Sequence, residues 1–204
     1  MRLSCCFRVV LISGFFCVLS CNVVAQVLIE DQASGQVGEI VVVALNTPTN
    51  QIVQSFTPTL SGIGFVQLQT VIAALDPGSL GLTVVVQLRE GGSLGPVIAA
   101  TTPLFLQNLG TEFTPFFFPD NVPLTANQPY YFEPVVLGGG ALDVAIKTPG
   151  PYDRGNLFLN GGPANPLSDL WFREGLVVPE PGTGVFVLMG LVLLFGWSRR
   201  RNRC

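Results

Sequence analysis

Apolar and polar residues alternate with a period of two over several short stretches of the chain, a pattern that predicts strands buried on one side only. The clearest case is 82–89, where Leu82, Val84, Val86 and Leu88 would share one face and Thr83, Gln87 and Arg89 the other. Leu142, Val144 and Ile146 alternate with Asp143, Ala145 and Lys147 in the same way. Further strands are expected at 40–45, 52–57, 65–73, 97–101, 113–118, 129–137, 157–160 and 170–173. Turn-forming clusters separate them, among them Asp76-Pro77-Gly78, Glu90-Gly91-Gly92-Ser93, Gly138-Gly139-Gly140, Thr148-Pro149-Gly150-Pro151 and Asn160-Gly161-Gly162-Pro163. Many short strands divided by turns, with no helical pattern before residue 179, predict an all-β fold, a two-sheet β-sandwich of jelly-roll-like topology. A closed barrel is the alternative. No fixed-period repeat emerges, although Leu88-Arg89-Glu90-Gly91 is echoed by Phe172-Arg173-Glu174-Gly175.

Two stretches break the alternation, because 9–19 and 182–198 carry no charge at all. Composition sharpens the contrast: of 204 residues 49% are hydrophobic and only 11% charged, against roughly 25% charged in an ordinary soluble domain. That balance excludes intrinsic disorder, and the lack of a basic surface excludes nucleic-acid binding. With no histidine in the chain, Ser-His-Asp and Cys-His chemistry is excluded, together with most zinc sites. Between Gln26 and Val178 the basic residues are Arg89, Lys147, Arg154 and Arg173 against twelve acids, so 4 − 12 gives a formal charge of −8. The cysteines (Cys5, Cys6, Cys17, Cys21 and Cys204) all lie outside that span, which therefore forms no disulfide.

The two ends read as targeting devices. Residues 1–25 have the form of a signal peptide: Arg2 and Arg8 precede the apolar run 9–19, and Val23 and Ala25 supply small residues for signal peptidase cleavage before Gln26. The run is too short to span a bilayer, which disfavours a permanent membrane helix. Lipidation at Cys21 is a second alternative, but Leu19 fits poorly where a lipobox carries a small residue. At the other end, Pro179-Glu180-Pro181 precedes 17 uncharged residues, 182–198, and then Arg199, Arg200, Arg201 and Arg203. A run of that length sits at the lower limit for a transmembrane helix. The arginine cluster would fix its end in the cytoplasm, leaving the body of the protein outside.

This tripartite tail closely resembles the PEP-CTERM protein-sorting signal, also known as the ice-binding protein C-terminal domain. The residues that carry the resemblance are Pro179, Glu180 and Pro181, the apolar segment from Val185 to Trp197, and the arginines Arg199, Arg200, Arg201 and Arg203. The resemblance implies recognition by a membrane-embedded exosortase in a Gram-negative bacterium that makes exopolysaccharide, with processing near the Pro-Glu-Pro. The body is similar, through Phe56-Thr57-Pro58, Tyr130-Tyr131-Phe132-Glu133 and Asp169-Leu170-Trp171-Phe172-Arg173-Glu174, to exported β-sandwich domains that precede such tails. That likeness implies a fold and carries no defined activity.

Chemistry within the body rests on few residues. Without His or Cys, hydrolysis would need paired carboxylates. Glu133, between Phe132 and Pro134, is the acid most open to a raised pKa, and is also read as an edge-strand partner of Arg89, Arg154 or Arg173. Saccharide binding would use exposed aromatics. Tyr130 and Tyr131 must face opposite ways in a strand, which leaves Tyr152, in the Pro- and Gly-rich segment 149–155, and then Trp171 as candidate ligand-binding residues. Asp143, Asp153, Asp169 and Glu174 are read as solvated acids rather than calcium ligands, since no Asp-x-Asp-x-Asp-Gly loop is present. Thr57, Thr59, Thr101 and Thr102 follow no period suited to an ice-binding face.

The sequence thus predicts three segments: a signal peptide at 1–25, a β-sandwich at 26–178 and a sorting signal at 179–204. The expected function is that of a non-enzymatic exported protein of the cell surface or extracellular matrix, without cofactor or metal. Its expected partners are signal peptidase, exosortase and the membrane, with exopolysaccharide as the ligand if the body is instead a carbohydrate-binding module.

Overall fold

The computed structural model describes residues 26–34, 39–45, 50–107, 110–148 and 152–179. Its strands are β1 (Gln26–Ala33), β2 (Glu39–Leu45), β3 (Ile52–Phe56), β4 (Gly62–Leu75), β5 (Leu82–Glu90), β6 (Val97–Ala100) and β7 (Leu104–Leu106), followed by β8 (Glu112–Pro123), β9 (Tyr130–Gly138), β10 (Gly140–Thr148), β11 (Leu157–Leu159), β12 (Gly162–Pro163), β13 (Asp169–Leu170) and β14 (Phe172–Pro179). Among the described residues there is no helix long and apolar enough to cross a membrane. Segment 1–25, Glu180 and Pro181, the apolar stretch 182–198 and the arginine cluster lie outside the described residues.

The strands form two seven-stranded antiparallel sheets. One runs β1-β14-β4-β10-β13, with β2 added on β10 and β8 on β4. The other runs β12-β11-β3-β9-β5-β6, with β7 added on β5. The predicted alternation of β5 is realised, since Leu82, Val84, Val86 and Leu88 are all fully buried while Thr83, Gln87 and Arg89 are only half-buried. They meet Val66, Leu68, Phe116, Leu142, Val144 and Phe172 from the first sheet in one apolar core. Phe132 stands at its centre, 5.8 Å from Phe56 and 5.1 Å from Phe172, so aromatic contacts bridge the two layers. Burial of these rings away from water is the principal stabilising term.

One strand lies outside those expected and another is longer than expected. β1 follows directly on the expected cleavage point and pairs along β14, with Gln26 opposite Pro179 and Ala33 opposite Arg173. β14 in turn runs beyond Arg173 to Pro179, so the ladder includes the first residue of the Pro-Glu-Pro. A bulge at Asp31 shifts the register between Glu30 and Gln32. Gly175, opposite Glu30, is required there: a Cβ at that position would lie 1.9 Å from the Ile29 carbonyl oxygen. Gln26–Pro179 forms one compact unit.

The two related tetrapeptides end strands in different settings. Glu90 is exposed whereas Glu174 is sealed in the interior, and Arg89 bonds Glu133 whereas Arg173 lies near Glu30. The echo is one of sequence alone.

Candidate functional site

Strand β3 lies between β9 and β11, with Ser55 opposite Tyr131 and Val53 opposite Phe158. Alternation sends Tyr130 and Phe132 into the core and leaves Tyr131 half-buried on the outer face. Phe158 likewise faces away from the core between Leu157 and Leu159. The Tyr131 and Phe158 rings stand edge to face, 5.8 Å apart at 65°. The loop before β11 closes down on β3: Ser55 N–H donates to the Asn156 carbonyl at 2.9 Å, and Asn156 N–H donates to Ser55 Oγ at 2.7 Å. Gly155 makes this approach feasible, because a Cβ there would lie 1.9 Å from the Ser55 carbonyl oxygen.

Between the aromatic pair and this loop lies an open groove of about 610 Å³, lined by Ser55, Thr57, Pro129, Tyr131, Tyr152, Asp153, Arg154, Gly155, Asn156, Phe158 and Pro166. Asp153 and the Asn156 side chain are exposed and carry no side-chain hydrogen bond to another described residue. Arg154 donates through Nη2 to Asn127 Oδ1 at 2.9 Å, which leaves its other N–H groups for a ligand. Planar groups that donate and accept in pairs, set beside apolar rings, suit a polyhydroxylated molecule.

Tyr152 contributes to this groove, but not as an exposed ring. It is 6% exposed and packs edge to face on Phe172 at 5.1 Å. Its hydroxyl oxygen accepts from Thr57 N–H at 3.4 Å and the hydroxyl donates to Gln32 Oε1 at 3.2 Å. Burial pushes the phenol up to about 12, against the opposing pull of the Thr57 N–H. The Pro- and Gly-rich segment folds its aromatic inward, which corrects the expectation of an exposed ring. Trp171 is also covered, by Phe113 at 4.5 Å and by the Arg173 guanidinium at 5.5 Å from the ring centre. Neither ring is presented to solvent for stacking.

The acids considered for calcium are dispersed in role. Asp169 is buried and accepts from Gln54 Nε2 at 2.8 Å and from Tyr152 N–H at 2.6 Å. Burial raises its pKa, with the Gln54 bond acting against that. Asp143 is half-buried, its pKa is raised by desolvation, and one of its oxygens is buried without a partner among the described residues. Asp153 is exposed. Glu174, read from sequence as solvated, is instead fully buried, and neither carboxylate oxygen has a partner among the described residues. Desolvation, reinforced by the negative charge of Asp31, pushes it up to about 9, with Arg154 pulling the other way. Among the described residues no group of three or more acids, Cys or His is placed to hold a metal ion.

Asp31, which the sequence did not single out, is the best satisfied carboxylate. Partial burial works to raise its pKa, but Leu60 and Thr59 N–H, donating at 2.9 and 2.7 Å, hold it below the usual carboxylate value together with the Thr59 hydroxyl and Gln32. Glu133 lies on β9, which is a central strand and not the expected edge. Its Oε2 accepts from Arg89 Nε at 2.9 Å and Nη2 at 2.7 Å. Of the three arginines considered, Arg89 is the partner.

An all-β body ending at a Pro-Glu-Pro, followed by an uncharged run and an arginine cluster, defines a protein with a C-terminal sorting signal. The chain carries the PEP-CTERM protein-sorting motif, whose family model matches residues 177–202. No curated protein matches the chain.

Proposed function

We propose that the chain is a non-enzymatic protein of the cell surface or extracellular matrix, exported through a signal peptide at 1–25 and delivered by an exosortase through its PEP-CTERM motif. The single observation that carries this reading is the motif match over 177–202, which begins inside the last strand of the folded unit and covers Pro179-Glu180-Pro181, Arg199, Arg200 and Arg201. In this reading the segment 182–198 partitions into the membrane as a helix, and Arg199, Arg200, Arg201 and Arg203 hold its end in the cytoplasm of a Gram-negative cell. The rigid Pro-Glu-Pro then stands at the membrane surface as the element that the exosortase reads. The state of the acids supports a non-enzymatic body: Glu133 is bonded to Arg89, Asp169 to Gln54, and Glu174 is closed off from solvent. Truncation after Val178 tests the reading by fractionation and intact mass. The truncated protein is expected to lose its surface location and to appear free in the periplasm or medium; an unchanged location would overturn it.

A second reading, a carbohydrate-binding module of jelly-roll type acting on exopolysaccharide, is favoured by the groove beside Tyr131 and Phe158. Retention of the full chain on a polysaccharide would establish it, and a screen without retention on any polymer would remove it.

A further inference from the structure

The groove on the outer face of β3 lies outside the matched sorting motif, and it combines two aromatic rings with three polar side chains whose capacity is largely unspent. We propose that it binds an uncharged polysaccharide chain, an inference that rests on the saccharide-binding reading and assigns that reading its residues: Tyr131, Phe158, Asp153, Arg154 and Asn156.

The apolar part of the site is the corner formed by Tyr131 and Phe158, whose rings meet at 65°. A sugar ring has apolar C–H faces and a polar rim, so it gains most from a site that offers rings to the first and hydrogen bonds to the second. The rim partners lie on the loop 152–156. The Asp153 carboxylate accepts from two neighbouring hydroxyls, the Asn156 amide donates and accepts, and the Arg154 guanidinium donates through the groups that Asn127 does not occupy. The volume of about 610 Å³ falls within the roughly 300–1,000 Å³ usual for ligand sites. An open groove, unlike an enclosed cavity, lets a polymer continue past both ends.

Charge selects the class of polymer. Asp153 is the one acidic and Arg154 the one basic residue of the lining, so their formal charges cancel. The surrounding body carries a formal −8, so an acidic polysaccharide would approach against the field of the whole domain. An uncharged chain meets no such barrier.

The covered rings provide the internal control. Trp171 is packed between Phe113 and Arg173 and takes no part in the groove lining, so its loss should not touch binding.

The test is affinity electrophoresis of the full-length protein in detergent, through gels containing dextran, mannan, hydroxyethyl cellulose or alginate. Retardation is expected in at least one of the three uncharged polymers and not in alginate. Tyr131→Ala and Asp153→Ala are each expected to weaken that retardation about tenfold. Trp171→Phe should leave it within about twofold. Because Asp153 is exposed, its substitution reports on the groove even if the Tyr131 variant fails to fold. Retardation by none of the polymers would overturn both the saccharide reading and the site. Wild-type retardation that survives Tyr131→Ala and Asp153→Ala would overturn the site alone, and stronger retardation in alginate would overturn the ligand class.

Discussion

Glu174→Gln should stabilise the protein, and the gain should depend on pH in a defined direction. The carboxyl is fully buried without a partner among the described residues, and its pKa rises from 4.5 to about 9 on folding. The folded state therefore holds the proton more tightly than the unfolded chain. By linkage, the stability contributed by the protonated acid is complete below the unfolded value and is lost progressively as pH rises toward the folded one. At pH 7 the interval above 4.5 is 2.5 units, and at about 1.36 kcal/mol per unit the loss is about 3 kcal/mol. Glutamine preserves the shape and cannot ionise, so it escapes that loss. For a domain of this size the difference corresponds to a Tm gap of about 6–12 °C at pH 7, relative to the gap at pH 4. Melting of both proteins by circular dichroism at pH 4, 7 and 9 measures it. The amide introduces the same unsatisfied donors at every pH, so the change in the gap, and not its absolute size, carries the conclusion. A gap that stays constant from pH 4 to 9 would refute the claim that the buried acid is neutral.

Arg89→Ala should destabilise by about 2–4 kcal/mol in urea titrations, since it strands the buried Glu133 carboxylate and also removes the bonds from the guanidinium to Gln87 Oε1 and the Gly95 carbonyl. Gly175→Ala should destabilise by about 2–3 kcal/mol in the same titration, because its Cβ would meet the backbone at Ile29 rather than a movable side chain. Asp31→Asn should lower the urea midpoint at about pH 6 and converge with wild type in strong acid. The depressed pKa of Asp31 means that its contribution is present above the unfolded value of 3.8 and is lost as pH falls through the lower folded one.

Legibility followed periodicity. β5 could be read almost residue by residue, because its alternation is a property of one strand. β1 was hidden, since Val27, Leu28 and Ile29 form an apolar run without alternation, and what makes them a strand is β14, some 150 residues away. Glu174 illustrates the same dependence in chemistry. Its neighbours Arg173 and Gly175 suggest a solvated strand end, whereas its burial is decided by β1 and β4 on either side. Tyr152 departs from the sequence pattern for a local reason: a segment rich in Pro and Gly usually projects outward, but Gly155 lets this one lie flat on β3 and turn its ring toward Phe172. The groove pairs Tyr131 with Phe158, and only the pairing of both strands with β3 brings them together. Such a site leaves no mark at any spacing along the chain.

The pairing of Gln26 with Pro179 makes the body nearly a closed circuit. Opposed residues of an antiparallel ladder have Cα atoms about 5 Å apart, a gap that a linker of a few residues would join. The joined chain could be opened instead at Gly91-Gly92, in the turn after β5, giving a circular permutant with the same sheets in a different order. The point at which the fold begins and ends is thus interchangeable as far as packing is concerned. What sets β14 apart is the sorting motif, which begins within that strand and could not follow it if the chain were opened elsewhere.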